Sequence, residues 1–404
     1  MKLLALTYGT EGDTRPLVML CHGLIGAGHE VLLLAERGTL ETARELSVPH
    51  AALEGDIHDE VVALVSRGNA RLAASRGLAR MAQRHVPGWM RQADAAAAGC
   101  DAVLTGGLAA FVGLAAAEHH GLPVIGTGMI PLTPTAGFPS PFLPRLRLPG
   151  ALNRLSYTLV NQAVWRTFRR PINAARRALG MPGRASPWRD LPMLYGISPS
   201  LLPPPSDWPA NHRICGQWRA PERGWQPPPD LQAFLDAGPA PVYLGFGSMT
   251  GFDRDHVLPA LLAALAPRRV VLFPGWAGLP SAPLPPNVFV LGPTPHEALF
   301  PRCALVIHHG GSGTTHSACR AGVPSLVMPF AADQFFWADR LQQLGVAPAA
   351  LSPKRLDAGT LGRAIAFAER ADTRDRAAAL GHAMAAENGV STGVAAIEAW
   401  LSPR

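Results

Sequence analysis

The sequence predicts an α/β fold of two successive doubly wound halves. Three observations predict it: a strand–helix–strand rhythm at the amino end, a proline-rich break near the middle, and the same rhythm restarting beyond it. A length of 404 residues fits two domains of about 200 residues each.

The opening rhythm is an apolar strand at residues 3–7, a helix-period stretch from Pro16 to about Gly26, a turn at Gly28-His29 and a second strand at 31–35. Residues 102–104 read as a strand, followed by Gly106-Gly107, an Ala-rich helix to His120 and a strand at 123–127. Residues 131–149, rich in Pro, Phe and Leu, read as an irregular apolar loop. Leu152, Leu155, Leu159, Trp165, Phe168 and Ile172 then recur at helical spacing, with Pro171 marking a kink or break. The stretch 202–229, with proline clusters at each end, reads as an interdomain connection. Strands follow at 241–246, 270–273, 288–291, 304–308 and 325–328, and a last helix at 392–401 carries Ile397, Trp400 and Leu401 on a docking face. The expected organisation is an acceptor half over 1–216, a second half over 217–385, and a tail, 386–404, returning to the first.

Apolar residues make up 48% of the chain, enough for two cores. No uninterrupted apolar run reaches the roughly 18 residues of a transmembrane helix, and the apolar start is too short for a signal peptide. Cys21, Cys100, Cys215, Cys303 and Cys319 are scattered, without a CxxC pair, which points to a reducing cytoplasm. The net charge of +7 comes from arginine, since Lys2 and Lys354 are the two lysines, and a GC-rich bacterial genome gives that bias. Nucleic-acid binding is not expected, because no stacked aromatic-basic motif or recognition helix accompanies the charge. Seven arginines do cluster (Arg166, Arg169, Arg170, Arg176, Arg177, Arg184 and Arg189). They read either as a solvated helix face or as a weak peripheral contact with an anionic membrane. The sequence specifies no oligomeric state.

Four motifs fall at the carboxyl ends of expected strands, where open α/β sheets bind ligands. HHGGSGTTH (308–316) joins a strand to a helix. Its glycines let backbone amides approach an anion, and the helix end adds partial positive charge, so a diphosphate fits without a metal. His309, Ser312 and Thr314 can add donors; the alternative is a plain Gly-rich turn. It is neither a Walker loop nor a dinucleotide GxGxxG. In GTEGD (9–13), Asp13 either takes a proton from an attacking hydroxyl or caps the next helix. Asp333-Gln334 suits sugar hydroxyls or starts a helix, and Ser248 in GFGSM (245–249) faces the same diphosphate or caps. Two decoys point to metals. Asp253-Arg254-Asp255 matches DxD but sits at a helix start, where capping is favoured. His308 and His309, being adjacent, point opposite ways on a strand, so no metal is expected.

Together GTEGDTRPL, GFGSM, GWAGL, HHGGSGTTHSACRAGVP and PFAADQFFWADRL resemble the inverting glycosyltransferases of the GT-B fold. The likeness is to bacterial antibiotic glycosyltransferases of secondary metabolism and to sterol 3-β-glucosyltransferases, and it covers nearly the whole chain. The resemblance implies two Rossmann-like domains facing across a cleft. It implies Asp13 as general base, His309 on the donor phosphates with Gly311, Ser312, Gly313 and Thr314, and Asp333 and Gln334 on the sugar hydroxyls. Ser248 would lie near the diphosphate, Thr294 would contact the base through its backbone, and Trp276 would stack on it. The family's VPHDWLF and GWGGL stand here as TPHEALF and GWAGL, which leaves uridine against thymidine open.

The function so implied is transfer of a hexose, with inversion, from a UDP-sugar (UDP-glucose first) or a TDP-sugar to a hydroxyl of an apolar natural product such as a sterol, terpenoid or polyketide. No cofactor is needed beyond the donor. Phe138, Phe142, Leu143, Leu146 and Trp165 would line the acceptor cleft or close the first core. A nucleotide-sugar epimerase of the same fold and a non-catalytic nucleotide-sugar-binding protein stay open as alternatives.

Overall fold

The computed structural model describes residues 1–56, 70–143, 148–219, 224–250 and 252–402, with the side chains of 70–76 left aside. In the first half, β1 (Lys2–Leu6), α1 (Glu11–Gly26), β2 (Glu30–Glu36), α2 (Glu41–Glu45) and β3 (His50–Leu53) come first. Next are α3 (Ala70–Ala97), β4 (Ala102–Thr105), α4 (Ala110–His120), β5 (Val124–Gly128), α5 (Gly150–Ala178), β6 (Met193–Tyr195) and β7 (His212–Ile214). Among the described residues these strands form one parallel sheet in the order β3-β2-β1-β4-β5-β6-β7.

The second half holds α6 (Pro229–Asp236), β8 (Val242–Gly245), α7 (Arg254–Leu265), β9 (Val270–Phe273), β10 (Val288–Val290) and α8 (His296–Leu299). It continues with β11 (Leu305–His308), α9 (Ser312–Arg320), β12 (Ser325–Val327), α10 (Gln334–Gln343), α11 (Ala358–Ala368) and α12 (Ala371–Ala385). Its parallel sheet runs β10-β9-β8-β11-β12. The last helix, α13 (Gly389–Leu401), packs on α1 of the first half.

Each sheet is buried on both faces, as parallel sheets must be. On β1, Leu3 and Ala5 join the cluster under α1 and α13, while Leu4 and Leu6 join the cluster under α3, α4 and α5. A further cluster spans the halves. Tyr195, Ile197, Leu201 and Ile214 of the first pack with Cys319, Trp337, Leu341 and Met384 of the second.

Strand order reverses between β1 and β4 in one sheet and between β8 and β11 in the other. Those switch points are where open α/β sheets form crevices. GTEGD follows β1, GFGSM follows β8 and HHGGSG follows β11, so the topology itself gathers three of the four motifs.

Three expectations need correction. Helix α1 begins at Glu11 rather than near Pro16, because Thr10 and Asp13 cap it. Helix α5 runs unbroken through Pro171, which is buried with Ile172 on the face that packs into the core. The stretch 202–229 is not connection alone, since it contains β7, the edge strand of the first sheet. Among the described residues no helix is long and apolar enough to cross a membrane. The five cysteines are unpaired and buried.

Candidate active site

Asp13 is the third residue of α1, and its Oδ2 accepts from the Thr10 backbone N–H at 3.0 Å. This fold-back is possible because residue 9 is glycine: a Cβ there would stand 2.6 Å from the Asp13 carboxyl carbon. Burial pushes the Asp13 carboxyl up to about 6, against the pull of the Thr10 bonds. One oxygen thus holds the helix start, and burial sets the proton affinity near neutrality.

Across the cleft, Asp333 is the N-cap of α10, and its Oδ2 accepts from Trp337 Nε1 at 3.0 Å. Its carboxyl is also raised to about 6, first by burial and further by the charge of Asp13. Asp13 and Asp333, at the helix starts that follow strands of different sheets, thus lie close enough for the charge of one to act on the other.

The donor end is built by β11 and α9. Gly310 has φ +90°, and a Cβ on it would meet Val327 Cγ1 at 2.8 Å and the Gln334 carbonyl at 2.9 Å, so the loop can turn this tightly only with glycine. The first helical N–H bonded inside α9 is that of Thr315, to the Gly311 carbonyl at 3.0 Å. The amides before it lie at the open end of the helix, and a Cβ on Gly313 would meet nothing within 4 Å. Beside this opening stands His309, its ring against Gly247 and Gly311. Its Nδ1 is buried with no hydrogen-bond partner, and burial lowers the ring to about 4. A neutral imidazole with an unspent N–H beside a helix N-terminus suits an anion. Ser248 follows Gly247 into the same wall, half-buried.

Several side chains are committed elsewhere. The Ser312 hydroxyl donates to the Met129 carbonyl at 2.7 Å, so it links α9 to the end of β5 instead of facing an anion. Gln334 Oε1 accepts from the Phe330 and Ala331 N–H groups at 2.7 and 3.1 Å and its Nε2 donates to Met249 Sδ at 3.0 Å, which commits its amide to the surrounding loops and leaves half-buried Asp333 as the more accessible of the pair. Trp276 packs on the first-half core and lines a cavity of about 340 Å³ with Thr250, Phe252, Arg254 and Ala277. It forms part of a wall between the halves, half-buried at the edge of that cavity. Thr294 Oγ1 donates to the Gly292 carbonyl at 3.0 Å in the turn before α8, and Thr314 lies half-buried in the first turn of α9.

The acceptor-side candidates also separate. Phe138 meets Phe336 of α10 at 5.2 Å between ring centres and joins the cluster spanning the halves. Phe142 is exposed and Leu143 half-buried, whereas Leu146 falls outside the described residues. Trp165 is not in the cleft wall: it is fully buried among Phe111, Phe168 and Trp188, with Nε1 donating to the Ala185 carbonyl at 3.1 Å. Its helical register with Phe168 and Ile172 turns it inward. Trp165→Ala is accordingly expected to destabilise the fold by about 3–5 kcal/mol in urea unfolding. Unchanged stability with a raised acceptor KM would return Trp165 to the cleft.

The metal decoys resolve by geometry. Asp253 accepts from the His256 N–H as the N-cap of α7, and Asp255 accepts from the Ser281 N–H at 2.7 Å. His308 Nδ1 accepts from the Gly310 N–H at 3.1 Å. His316 Nδ1 donates to the Ser312 carbonyl at 2.7 Å and its Nε2 accepts from the Ser198 N–H at 3.1 Å. Among the described residues one group has metal-ligand spacing, Asp94 with His119 and His120. It lies at the carboxyl ends of α3 and α4, away from the strand ends that form the cleft.

Sequence reasoning missed Met129, Trp337, Thr250 and the pairing of His316 with Ser198. Trp337 was readable, being one helical turn beyond Asp333. The contacts of Met129 and Ser198 join the two halves over more than a hundred residues of chain, and nothing local signals them.

Two parallel-sheet domains meeting at their switch points define a two-domain α/β protein of the GT-B fold class. Comparison with known proteins gives its relatives. The family described as erythromycin biosynthesis protein CIII-like, C-terminal domain, matches residues 261–398. The chain is 33% identical over 422 aligned residues to O-mycaminosyltylonolide 6-deoxyallosyltransferase of Streptomyces fradiae, covering 100% of this chain and 98% of that protein. It is 31% identical to the sterol 3-beta-glucosyltransferase of Aspergillus terreus over 98% of this chain, but spans only 30% of that longer protein. The crystal structure of the kitacinnamycin glycotransferase superposes with a TM-score of 0.73 at 21% identity, covering 100% of this chain and 99% of that one. The chain belongs to the same family as the Streptomyces allosyltransferase, and it is a glycosyltransferase of the GT-B fold.

Proposed function

We propose that this enzyme transfers a hexose from a uridine or thymidine diphosphate sugar, UDP-glucose first among them, to a hydroxyl of an apolar natural product such as a sterol, terpenoid or polyketide. One observation carries the reading: two largely desolvated carboxylates, Asp13 of the first half and Asp333 of the second, lie close enough for the charge of one to act on the other. The Streptomyces relative is named for 6-deoxyallosyl transfer and the fungal ones for sterol glucosylation, which supports a hexosyl donor and a large apolar acceptor.

In the proposed step the acceptor oxygen attacks the anomeric carbon, its proton passes to Asp13, and the bond to the diphosphate breaks on the opposite face. One displacement inverts the anomeric centre. Negative charge gathers on the leaving diphosphate, where the amides at the start of α9 around Gly313 and the neutral His309 meet it without a metal. Asp333 holds the sugar hydroxyls, while Ser248 and the backbone at Thr294 complete the donor wall. Five buried, unpaired thiols fit a cytoplasmic enzyme.

A thermal-shift titration with UDP, TDP and their hexose conjugates tests the donor. A true donor nucleotide at a hundredfold over its Kd stabilises by about 2.7 kcal/mol, and the base giving the larger shift is the donor's. No shift with any of the four would sink the reading.

A further inference from the structure

We propose that the outer face of α5 is a docking surface for an anionic phospholipid bilayer. Three leucines on this helix are out of the core: Leu152 at 45%, Leu155 at 47% and Leu159 at 59% exposure. At about 100° per residue they fall on one stripe, and Arg166, Arg170 and Arg177 continue that stripe toward the carboxyl end of the helix. All three arginines are exposed. Arg169 and Arg189 are exposed as well, whereas two of the basic residues noted in this stretch do different work. Arg176 is buried and paired with Glu118 at 2.9 Å, and Arg184 joins the same carboxylate at 3.1 Å while lying over Trp188. The cluster thus holds a structural pair on Glu118 and, apart from it, a cationic row facing out.

A contiguous run of half-exposed leucines leading into a row of arginines is the pattern of a surface that enters the headgroup region, with leucines in the acyl boundary and guanidinium groups on lipid phosphates. A second copy of this chain is a poorer occupant, because a parallel contact sets the arginine rows against one another and an antiparallel contact centred on the stripe sets them on leucines. The face also adjoins the acceptor segment. Asn153 Nδ2 donates to the Ala136 carbonyl at 2.7 Å, and the Ser140 N–H donates to Ser156 Oγ at 2.8 Å. The turns that display the leucines therefore hold the loop beside the cleft, and an apolar acceptor dissolved in the bilayer would reach that loop without crossing water. That last clause rests on the acceptor proposed above; the docking itself does not.

Co-sedimentation of the full chain with vesicles tests it, using phosphatidylcholine alone and phosphatidylcholine with phosphatidylglycerol. Binding is expected only to the anionic vesicles and is expected to vanish near 1 M salt, where the Debye length is about 3 Å. Arg166→Glu, Arg170→Glu and Arg177→Glu combined should weaken it at least on the order of 100-fold, at about fivefold per lost cation. Leu152→Ser, Leu155→Ser and Leu159→Ser combined should weaken it about tenfold or more, while transfer to a water-soluble alcohol is unchanged. Either no binding to anionic vesicles, or binding that both combined variants retain, overturns the proposal. So does a concentration-dependent dimer that the leucine variants abolish. Vesicle binding with no transfer to any acceptor would instead strike the catalytic reading and leave this surface standing.

Discussion

Asp13→Asn is expected to lower kcat at pH 7.5 by about 10²–10⁴-fold, the usual worth of a positioned base, and at the same time to make the protein more stable. The sign follows from burial. The carboxyl rises from its usual 3.8 to about 6 on folding, so the folded chain binds the proton more tightly than the unfolded chain. The stability this gives is complete below about pH 4 and is lost as the pH climbs through 6. Above that, keeping the carboxylate ionised in its buried setting costs on the order of 2–3 kcal/mol. Asparagine carries no charge to bury and still offers Thr10 an oxygen, so the helix cap survives. The gain in Tm should be present at pH 7.5 and gone at pH 4. In the unaltered enzyme, kcat/KM should fall below about pH 6, and that limb belongs to Asp13 and Asp333 jointly. Full turnover by Asp13→Asn would leave the residue a cap alone.

His309→Ala is expected to cost 10²–10³-fold in kcat, about 3 kcal/mol, the typical worth of one donor aimed at developing charge. Burial keeps this imidazole neutral down to about pH 4, so across the working range it offers an N–H without an ionisation of its own. The variant's pH profile should therefore keep its shape at a lower height, whereas Asp13→Asn should leave only the part of the acid limb that belongs to Asp333. Acceptor KM should change little, because the ring stands on the donor wall. A rate within about threefold of the parent, with the donor still held, would move the stabilising role to the amides of α9 alone.

The sequence located these residues because topology did most of the placing. Apolar runs of four or five residues announce central parallel strands, and chemistry at their carboxyl ends is drawn to the switch points whatever the rest of the chain does. Side-chain direction was another matter. Ser312 and Gln334 have the right chemistry for their motifs, yet one hydroxyl is claimed by Met129 and one amide by the loop at Phe330. Trp165 looked like cleft lining from composition, but helical phase carries it into the core. The strands β3, β6 and β7 were missed because each is three or four residues long, and β6 and β7 lie within proline-rich sequence. Among the arginines, the sequence could not separate Arg176, neutralised by Glu118, from the outward row of Arg166, Arg170 and Arg177, since they share one helix.

The return of α13 to the first half means that the chain passes between the two bodies twice. The two passages touch: Gly216, just beyond β7, lies against Gly389 at the start of α13, where an added Cβ on Gly216 would stand 2.9 Å from the Gly389 Cα. A Cβ on Gly389 would in turn stand 2.4 Å from the Gly216 carbonyl, so the two passages meet backbone to backbone with no room for a side chain on either. A methyl group at either glycine would wedge the two passages apart beside the packed seam between the halves.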